Sequence, residues 1–166
     1  MTTNLSSRRR RAIAVSRRVP VGVEVAVALL ARDPGLVIGY EPPPPWTDQE
    51  PRADVGVELP RGRQVVRAVR IGFGPIIEDE DGTRALPVWW EDAEHPELFP
   101  TFDGGIELHG DGNATELRLV GSYQPPLGTV GRFADSLVGH RVALASLDSF
   151  LAATGDRLTL VAAALL

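Results

Sequence analysis

Hydrophobic and polar residues alternate along most of this chain, which is the pattern of strands with one buried face. The alternation is seen first in Ala12–Arg18, and it returns after residue 53 in short runs that are separated by turn residues. In the run Arg84–Asp92, for example, Leu86, Val88 and Trp90 share one face. The pattern predicts one early strand and a meander of six later ones, around Val55–Leu59, Gln64–Gly74, Pro75–Asp79, Arg84–Asp92, Gly104–Gly110 and Thr115–Tyr123.

Two segments instead have the spacing of amphipathic helices. The first is Val21–Arg32, and the turn Asp33–Gly35 is expected to end it. Its expected buried face consists of Val25, Ala28 and Leu29. The second is Leu127–Thr154, with Gly155 as the residue that follows its last turn. At 1.5 Å per residue, its roughly 28 residues span about 42 Å, which is long enough to cover a whole sheet.

An antiparallel sheet with one apolar face needs a cover, and of the predicted elements the second helix is long enough to supply it. The predicted fold class is therefore α+β, an antiparallel sheet of about seven strands with a long C-terminal helix. We divide the chain into a basic flexible arm (residues 1–11), one domain (12–155) and an apolar tail (156–166). The segment Glu41–Pro51, with five prolines, is interpreted as a stiff surface loop. The alternative is a peptide that docks in a partner's aromatic groove.

Charge is distributed unevenly along the sequence. All 17 basic residues are arginine, and six of them lie within the first 18 positions, which hold no acidic residue. The rest of the chain carries 11 arginines against 22 acidic residues. A body this acidic repels a phosphate backbone, so nucleic acid is disfavoured as its partner. The basic arm is interpreted as a solvated chain end, with contact to nucleic acid or anionic lipid as the alternative.

The composition also excludes several kinds of chemistry. The chain has no cysteine, which removes disulfides, thiolate metal sites and cysteine nucleophiles. Its three histidines, His95, His109 and His140, are scattered, and neither a metal nor a cofactor is expected. No apolar run reaches the ~20 residues that span a bilayer, and no secretory signal is recognised, so we expect a cytoplasmic location. No histidine has a serine or aspartate partner at the spacing of a catalytic triad, and no glycine-rich run has the spacing of a phosphate-binding loop.

Four stretches of the sequence resemble a known superfamily. They are Leu86–Trp90 (LPVWW), Leu98–Pro100 (LFP), Gly121–Gly128 (GSYQPPLG) and His140–Ala143 (HRVA). The resemblance is to an actinobacterial branch of the START and birch-pollen-allergen-like superfamily, also called SRPBCC or polyketide cyclase/dehydrase-like. The resemblance is clear over residues 84–151. Before residue 84 it is limited to the order of the predicted elements.

The resemblance implies a helix-grip fold, in which a curved sheet wraps a long C-terminal helix. Between sheet and helix lies an apolar cavity that holds lipids, polyketides or other hydrophobic small molecules. The basic arm, the proline-rich loop and the tail after Gly155 depart from the superfamily's pattern. No catalytic signature transfers to this sequence, so the resemblance implies a fold and a cavity without a reaction.

Candidate binding residues are those expected to face the space between sheet and helix. Arg141 and Asp148 project from the middle of the predicted apolar face of the long helix, so Arg141 is expected to bind a polar or anionic ligand group. The alternative is that Arg141 reaches an edge and bonds sheet carbonyls. Tyr123 and Trp90 share the parity of buried strand positions, and Arg67 is a second candidate buried arginine unless a bulge turns it outward. The predicted set is Arg141, Tyr123, Trp90, Asp148, Leu144, Leu137 and Arg67.

Three functions are consistent with the sequence. The first is binding or transport of a hydrophobic small molecule, which is favoured because apolar positions are plentiful and acid–base pairs are few. The second is a cyclase- or dehydrase-type enzyme in which Tyr123, Asp148 or His140 transfers protons on a polyketide-like substrate. The third is a regulatory or structural module whose cavity is closed and which acts through the proline-rich loop or the basic arm. The alternative role of Trp90 and Tyr123 is to fill the core. Neither the ligand nor the oligomeric state follows from the sequence.

Overall fold

All seven predicted strands are present in the computed structural model, with boundaries that differ from the prediction by a few residues. The described residues are 10–40, 43, 45–48, 51–59, 62–95, 99–124 and 136–165. The strands are β1 (Arg11–Val19), β2 (Arg52–Leu59), β3 (Arg63–Phe73), β4 (Ile77–Glu78), β5 (Arg84–Asp92), β6 (Thr101–Asp111) and β7 (Ala114–Gln124). The helices are α1 (Val23–Arg32), α2 (Pro34–Ile38) and α3 (Ser136–Ala164).

The strands form one antiparallel sheet in the order β1-β7-β6-β5-β3-β2, and the short β4 pairs with β5 outside this path. β1 and β2 therefore lie at opposite edges of the sheet. α3 contacts both edges: a Cβ on Gly155 would lie 2.9 Å from Cγ1 of Val19 in β1, and one on Gly56 in β2 would lie 3.1 Å from Oγ of Ser149. A sheet whose two edges meet one helix is curled around it, so the predicted α+β class and helix-grip fold are confirmed.

The register of the sheet places the predicted apolar positions on its helix-facing side. The side chains buried there include Val55, Leu86, Val88, Trp90, Ile106, Leu108, Leu117 and Leu119. Val57, which shares the parity of Val55 in β2, lies outside the described side chains. Trp89 lies on the outer face, where it is 42% exposed and covers Gly72 of the neighbouring strand. The predicted parity of β5 is confirmed, since a shift of one residue would have exchanged the two tryptophans.

The first predicted helix buries a different face from the one expected. The buried residues of α1 are Ala26, Leu29 and Leu30. Val25 and Ala28 are exposed, so two of the three expected positions are wrong. The reason is that nearly every position between Val21 and Ala31 is apolar, and spacing alone does not determine which face turns inward.

Two polar contacts fix the short helices in place. Arg84 of β5 donates hydrogen bonds of 2.9 and 2.7 Å to the carboxylate of Glu24 in α1. These hydrogen bonds are the main reason why the pKa of Glu24 is lower than usual and the pKa of Arg84 is higher than usual. Asp33 accepts a hydrogen bond of 3.0 Å from the N–H of Leu36 and caps α2. The turn predicted to end the first helix thus also begins the next one.

α3 is a helix of 29 residues that continues past its predicted end. Gly155 lies inside it and does not terminate it, and most of the predicted apolar tail forms its last turns. The reason is packing, because Gly155 lies against Val19 at a place where a side chain would crowd β1. Beyond Gly155, Leu158 is fully buried. Arg157 donates a hydrogen bond of 2.8 Å to the carbonyl of Ile38, at the C-terminal end of α2.

Several predicted features fall wholly or partly outside the described residues. They include the start of the long helix at Leu127, residues 1–9 of the basic arm and much of the proline-rich loop. Trp46 in that loop is described and is exposed. Arg10 ion-pairs with Asp103 at 3.0 Å, with both side chains largely exposed. Within the described ranges, no helix is long and apolar enough to cross a membrane.

Candidate functional site

A row of large side chains crosses the helix-facing side of the sheet. Strand register aligns Ile71 of β3, Trp90 of β5, Phe102 of β6 and Tyr123 of β7 as direct neighbours. All four are buried, and the rings of Trp90 and Phe102 stack with centroids 4.6 Å apart. The predicted interior orientation of Trp90 and Tyr123 is therefore confirmed. Strand pairing adds Phe102, which sequence parity alone did not connect to them.

A pair of glycines makes room for the Phe102 ring. Gly104 and Gly121 lie directly opposite each other in β6 and β7. A Cβ on Gly104 would lie 2.8 Å from Cζ of Phe102, and one on Gly121 would lie 2.9 Å from the same atom. Either Cβ would also overlap the backbone of the opposite strand. The ring thus lies over the two glycines, and the backbone itself fixes the position of the aromatic row.

α3 covers this row with a phenyl ring and an imidazole. The ring centroids of Phe150 and Trp90 are 4.8 Å apart. A hydrogen bond of 3.1 Å joins Oη of Tyr123 and Nδ1 of His140. His140 is half-buried, so this pair connects the interior with the surface. When the imidazole carries its proton on Nε2, the phenol is the donor. The sequence identified both residues as candidate acids or bases but did not pair them.

Three polar atoms in this interior lack partners within the described part of the chain. They are Nε1 of Trp90, Oδ2 of Asp92 and Oγ1 of Thr154, and all three are buried. Thr154 lies one helical turn after Phe150 on α3. Buried donors and acceptors are nearly always satisfied, and leaving one unsatisfied costs about 1–3 kcal/mol. Such atoms mark the places where a bound molecule or water would supply the missing partner.

An ion pair lies beside Trp90 on the same face of the sheet. Asp92, two residues after Trp90, is buried, with 2% of its side chain exposed. Nε of Arg67 lies 3.6 Å from Oδ2 of Asp92, and the Arg67 side chain is 33% exposed. Arg67 is paired directly with the buried Val55, so it lies on the inner face, as its parity predicted. Asp92 is not in the set predicted from sequence, although its parity with Trp90 indicates burial.

The predicted orientation of α3 is wrong. Arg141 and Asp148, expected to project into the interior, are exposed. The buried stripe of α3 includes Ala143, Leu147, Phe150, Leu151, Thr154 and Leu158. At about 100° per residue, Arg141 and Asp148 lie roughly 110–130° from the centre of that stripe. Leu147, Phe150 and Leu158 are among the large side chains that determine which face packs, whereas the predicted face depends in part on positions before Ser136, outside the described residues.

The two leucines predicted to line the site have different outcomes. Leu144 is half-buried and packs against the core from the flank of the buried stripe. The side chain of Leu137 lies outside the described ones. Neither leucine is therefore placed in the aromatic row by a described contact, and the site is built from Trp90, Phe102, Tyr123 and the residues that touch them.

The remaining histidines lie away from the aromatic row. Nε2 of His109 is 3.1 Å from Oε2 of Glu107, and both residues are on β6. His95 is exposed and follows the end of β5. Among the described residues, no group of three His, Asp or Glu side chains is arranged to hold a metal ion. The described contacts of the site are those between aromatic rings, the Tyr123–His140 hydrogen bond and the Arg67–Asp92 ion pair.

Solved structures with a similar fold match nearly the whole chain. A protein from Thermus thermophilus has a TM-score of 0.53 and 16% identity, over 91% of this chain and 99% of its own. A conserved protein from Geobacillus kaustophilus has a TM-score of 0.50 and 16% identity, over 89% of this chain and 95% of its own. A START superfamily protein from Mycobacterium smegmatis has a TM-score of 0.48 and 14% identity, over 90% of this chain and 98% of its own.

The sequence comparisons contribute nothing beyond this likeness. No family model matches the sequence, and no curated protein matches it. At these identities the likeness to solved structures shows the fold alone. That fold is an antiparallel sheet curled around a long C-terminal helix, which is the fold that the sequence predicted.

Proposed function

We propose that the protein binds a flat hydrophobic small molecule between its curled sheet and α3. The observation that carries the proposal is the buried indole N–H of Trp90, which has no acceptor among the described residues. An interior that only filled space would gain nothing from an unpaired donor, whereas a bound molecule can supply the acceptor. The sequence resemblance supports the proposal, because that superfamily holds hydrophobic molecules in the corresponding space.

The shape of the ligand follows from the side chains that surround this donor. Trp90 contacts the rings of both Phe102 and Phe150, and Tyr123 continues the row. Aromatic faces favour stacked or edge-to-face partners, and such a contact contributes about 0.5–1.5 kcal/mol beyond the area that it buries. Ligand sites of this kind are mostly apolar, with a few polar groups that fix orientation. A flat molecule with few polar atoms is therefore the best fit.

The first test looks for a ligand that the protein retains. Native mass spectrometry of the protein purified from its own host should show a mass above that of the chain. The extra mass should disappear after extraction with an organic solvent. A protein that carries no additional mass, and whose extracted form binds no flat apolar probe, would contradict the proposal and favour the closed module.

The second test uses pyrene as a flat apolar probe of the extracted protein. In a variant with Trp46→Phe and Trp89→Phe, the remaining Trp90 should transfer its excitation energy to bound pyrene in a saturable way. The two neighbouring tryptophans provide a matched pair, because Trp89 is on the outer face. Trp90→Phe should weaken pyrene binding about three- to tenfold, and Trp89→Phe should leave it unchanged. Equal effects of the two substitutions would contradict the interior location.

A second function, proton transfer on a bound ketone, is favoured by one specific observation. The hydrogen bond between Tyr123 and His140 joins a buried hydroxyl to a half-buried imidazole. An imidazole can remove a proton next to a carbonyl, and a phenol can donate a hydrogen bond to the enolate oxygen that forms. This is the chemistry with which a cyclase or dehydrase acts on a polyketide-like substrate.

The catalytic alternative is tested with 2-acetylnaphthalene, a flat ketone. The protein should accelerate exchange of its methyl protons for deuterium, measured by NMR, by about a hundredfold or more over buffer. His140→Gln should abolish the acceleration, and His109→Gln, away from the aromatic row, should keep it. If exchange proceeds at the buffer rate while pyrene binds, the protein is a binder and the catalytic alternative is wrong.

A further inference from the structure

The Asp92 carboxylate is held in one orientation by the backbone that follows it. Its Oδ1 accepts hydrogen bonds from the N–H groups of Glu94, at 2.9 Å, and His95, at 2.7 Å. A side chain that closes such a turn at the end of a strand has little freedom to rotate. The second oxygen, Oδ2, is therefore directed by the fold.

That second oxygen has unused hydrogen-bonding capacity. Oδ2 of Asp92 is buried and accepts no hydrogen bond from any described residue. The nearest described cation is Arg67, with Nε at 3.6 Å, which is ion-pair distance and long for a hydrogen bond. A carboxylate oxygen that is buried without a donor is costly, and the charge of Arg67 offsets only part of that cost.

An unpaired donor belongs to Trp90, the nearest residue before Asp92 on the same face of β5. Trp90 and Asp92 are two residues apart on β5 and share its inner face, so their Cα atoms are about 7 Å apart. Nε1 of Trp90 can only donate, and Oδ2 of Asp92 can only accept when ionised. A hydroxyl group satisfies both at once, since its oxygen accepts from the indole and its proton is donated to the carboxylate.

The charges of the Arg67–Asp92 pair restrict the ligand further. An anionic group at this place would be repelled by Asp92, and a cationic ammonium group has no lone pair with which to accept from Trp90. An ether or ketone oxygen could accept from Trp90 but would leave Oδ2 without a donor. We infer that Trp90 and Asp92 form a subsite for a neutral hydroxyl carried by an aromatic ring. This inference rests on the proposed function and identifies the class of its ligand as a phenol.

The inference is tested with two probes that differ by one methyl group. Equilibrium dialysis of the extracted protein should show that 2-naphthol binds at least about tenfold more tightly than 2-methoxynaphthalene, because the ether leaves a buried acceptor unpaired. This comparison uses the unaltered protein, so it does not depend on whether any variant folds. Equal affinities for the two probes would overturn the inference.

Asp92→Asn provides the sharper test. The amide keeps the size of the side chain, and its oxygen can still accept the two hydrogen bonds from backbone N–H groups. Because the oxygen takes the place of Oδ1, the amide nitrogen takes the place of Oδ2 and turns an acceptor into a donor. The preference should therefore reverse, with 2-methoxynaphthalene binding at least as tightly as 2-naphthol. Asp103→Asn, at an exposed position, is the matched control and should keep the tenfold preference.

The outcomes separate this inference from the function on which it rests. If pyrene and both naphthalenes fail to bind, the proposed function is wrong and the inference falls with it. If both naphthalenes bind equally to the wild type, or if Asp92→Asn keeps the hydroxyl preference, the subsite is wrong while hydrophobic binding stands. Should Asp92→Asn not fold, the double variant with Arg67→Gln removes the uncompensated charge and is expected to show the same reversal.

Discussion

At the scale of single residues, glycines determine how closely the elements of this protein approach one another. Gly104 and Gly121 allow two strands and a phenyl ring to meet, and Gly155 allows α3 to lie against β1. Gly139, in the same helix as Gly155, has no described atom outside its own stretch of helix within 4 Å of the position that a Cβ would take. The helix therefore contains one glycine that packing requires and one that packing does not require.

These two helical glycines give a matched prediction. Gly139→Ala should raise the free energy of unfolding by about 0.5–1 kcal/mol, because alanine loses less backbone entropy in a helix. Gly155→Ala should lower it by about 1–3 kcal/mol, because the new methyl group would lie 2.9 Å from Cγ1 of Val19. Urea denaturation followed by circular dichroism measures both. A stabilising Gly155→Ala would show that β1 can move away at little cost.

The interior of the sheet could be predicted residue by residue, and the interior of the helix could not. A strand has two faces, so the alternation of Leu86, Val88 and Trp90 left one choice, and burial confirmed it. A helix has many faces, and around Arg141 and Asp148 small apolar residues lie on several of them. The orientation of α3 depends on which large side chains fit against the sheet. The spacing of apolar residues along the helix does not specify that fit.

At the scale of elements, one ion pair joins α1 to the sheet. Arg84 makes two hydrogen bonds to Glu24, and they lower the pKa of Glu24 below its usual value near 4.5. A carboxylate with a lowered pKa in the folded state binds fewer protons than in the unfolded state. The pair therefore contributes to stability above the usual pKa, and the contribution is lost as pH falls through the lowered value.

Glu24→Gln tests this pH dependence. Above about pH 5 the variant should be less stable than the wild type by a constant amount. As pH falls below 4.5, the difference should shrink, because protonation removes the same charge from the wild type. The measurement is the urea midpoint from pH 7 to pH 3, with the exposed Glu116→Gln as control. A difference that does not change with pH would mean that Glu24 stabilises α1 by packing alone.

The last turns of α3 are a second element whose role can be measured. Leu158 is fully buried after Gly155, whereas Leu160, two residues later, is 70% exposed. Leu158→Ala should lower the free energy of unfolding by about 2–5 kcal/mol, and Leu160→Ala should change it by less than about 0.5 kcal/mol. Equal and small effects would indicate that the segment behaves as the tail predicted from sequence.

The helix end shows why element boundaries are the less predictable part of this fold. A glycine after an apolar helical run is the usual signal of a helix terminus, and Gly155 fits it. The same residue also fits a close helix–strand contact, and the structure has the contact. The two interpretations differ only in what lies beside the glycine, which is a long-range property. The seven strands were predictable because their turns and alternation are local.

At the scale of the whole molecule, α3 connects the two edges of the sheet, and the sheet begins at Arg11. The basic arm is expected to contribute little to this assembly. The described contact of Arg10 is an exposed ion pair with Asp103, and such pairs contribute about 0–1 kcal/mol.

Deleting residues 1–10 should therefore leave the melting temperature unchanged within error. The measurement is differential scanning calorimetry of the two proteins at the same pH and salt concentration. Asp103→Asn in the full chain removes the ion pair alone and serves as the control. A loss of several degrees in the shortened protein, but not in Asp103→Asn, would show that the arm packs on the domain.

The pairing of β1 with β7 has a consequence for the order in which the protein can be made. Arg11 is opposite Tyr123, 112 residues later in the chain. At a synthesis rate of about 5–20 residues per second, β1 waits roughly 6–22 s for its partner strand to emerge from the ribosome. During that interval its hydrogen-bonding edge is unpaired, and the inner face of the growing sheet is uncovered until α3 follows. Nascent-chain chaperones are therefore expected to bind this protein late in its synthesis, and slower translation should prolong their contact.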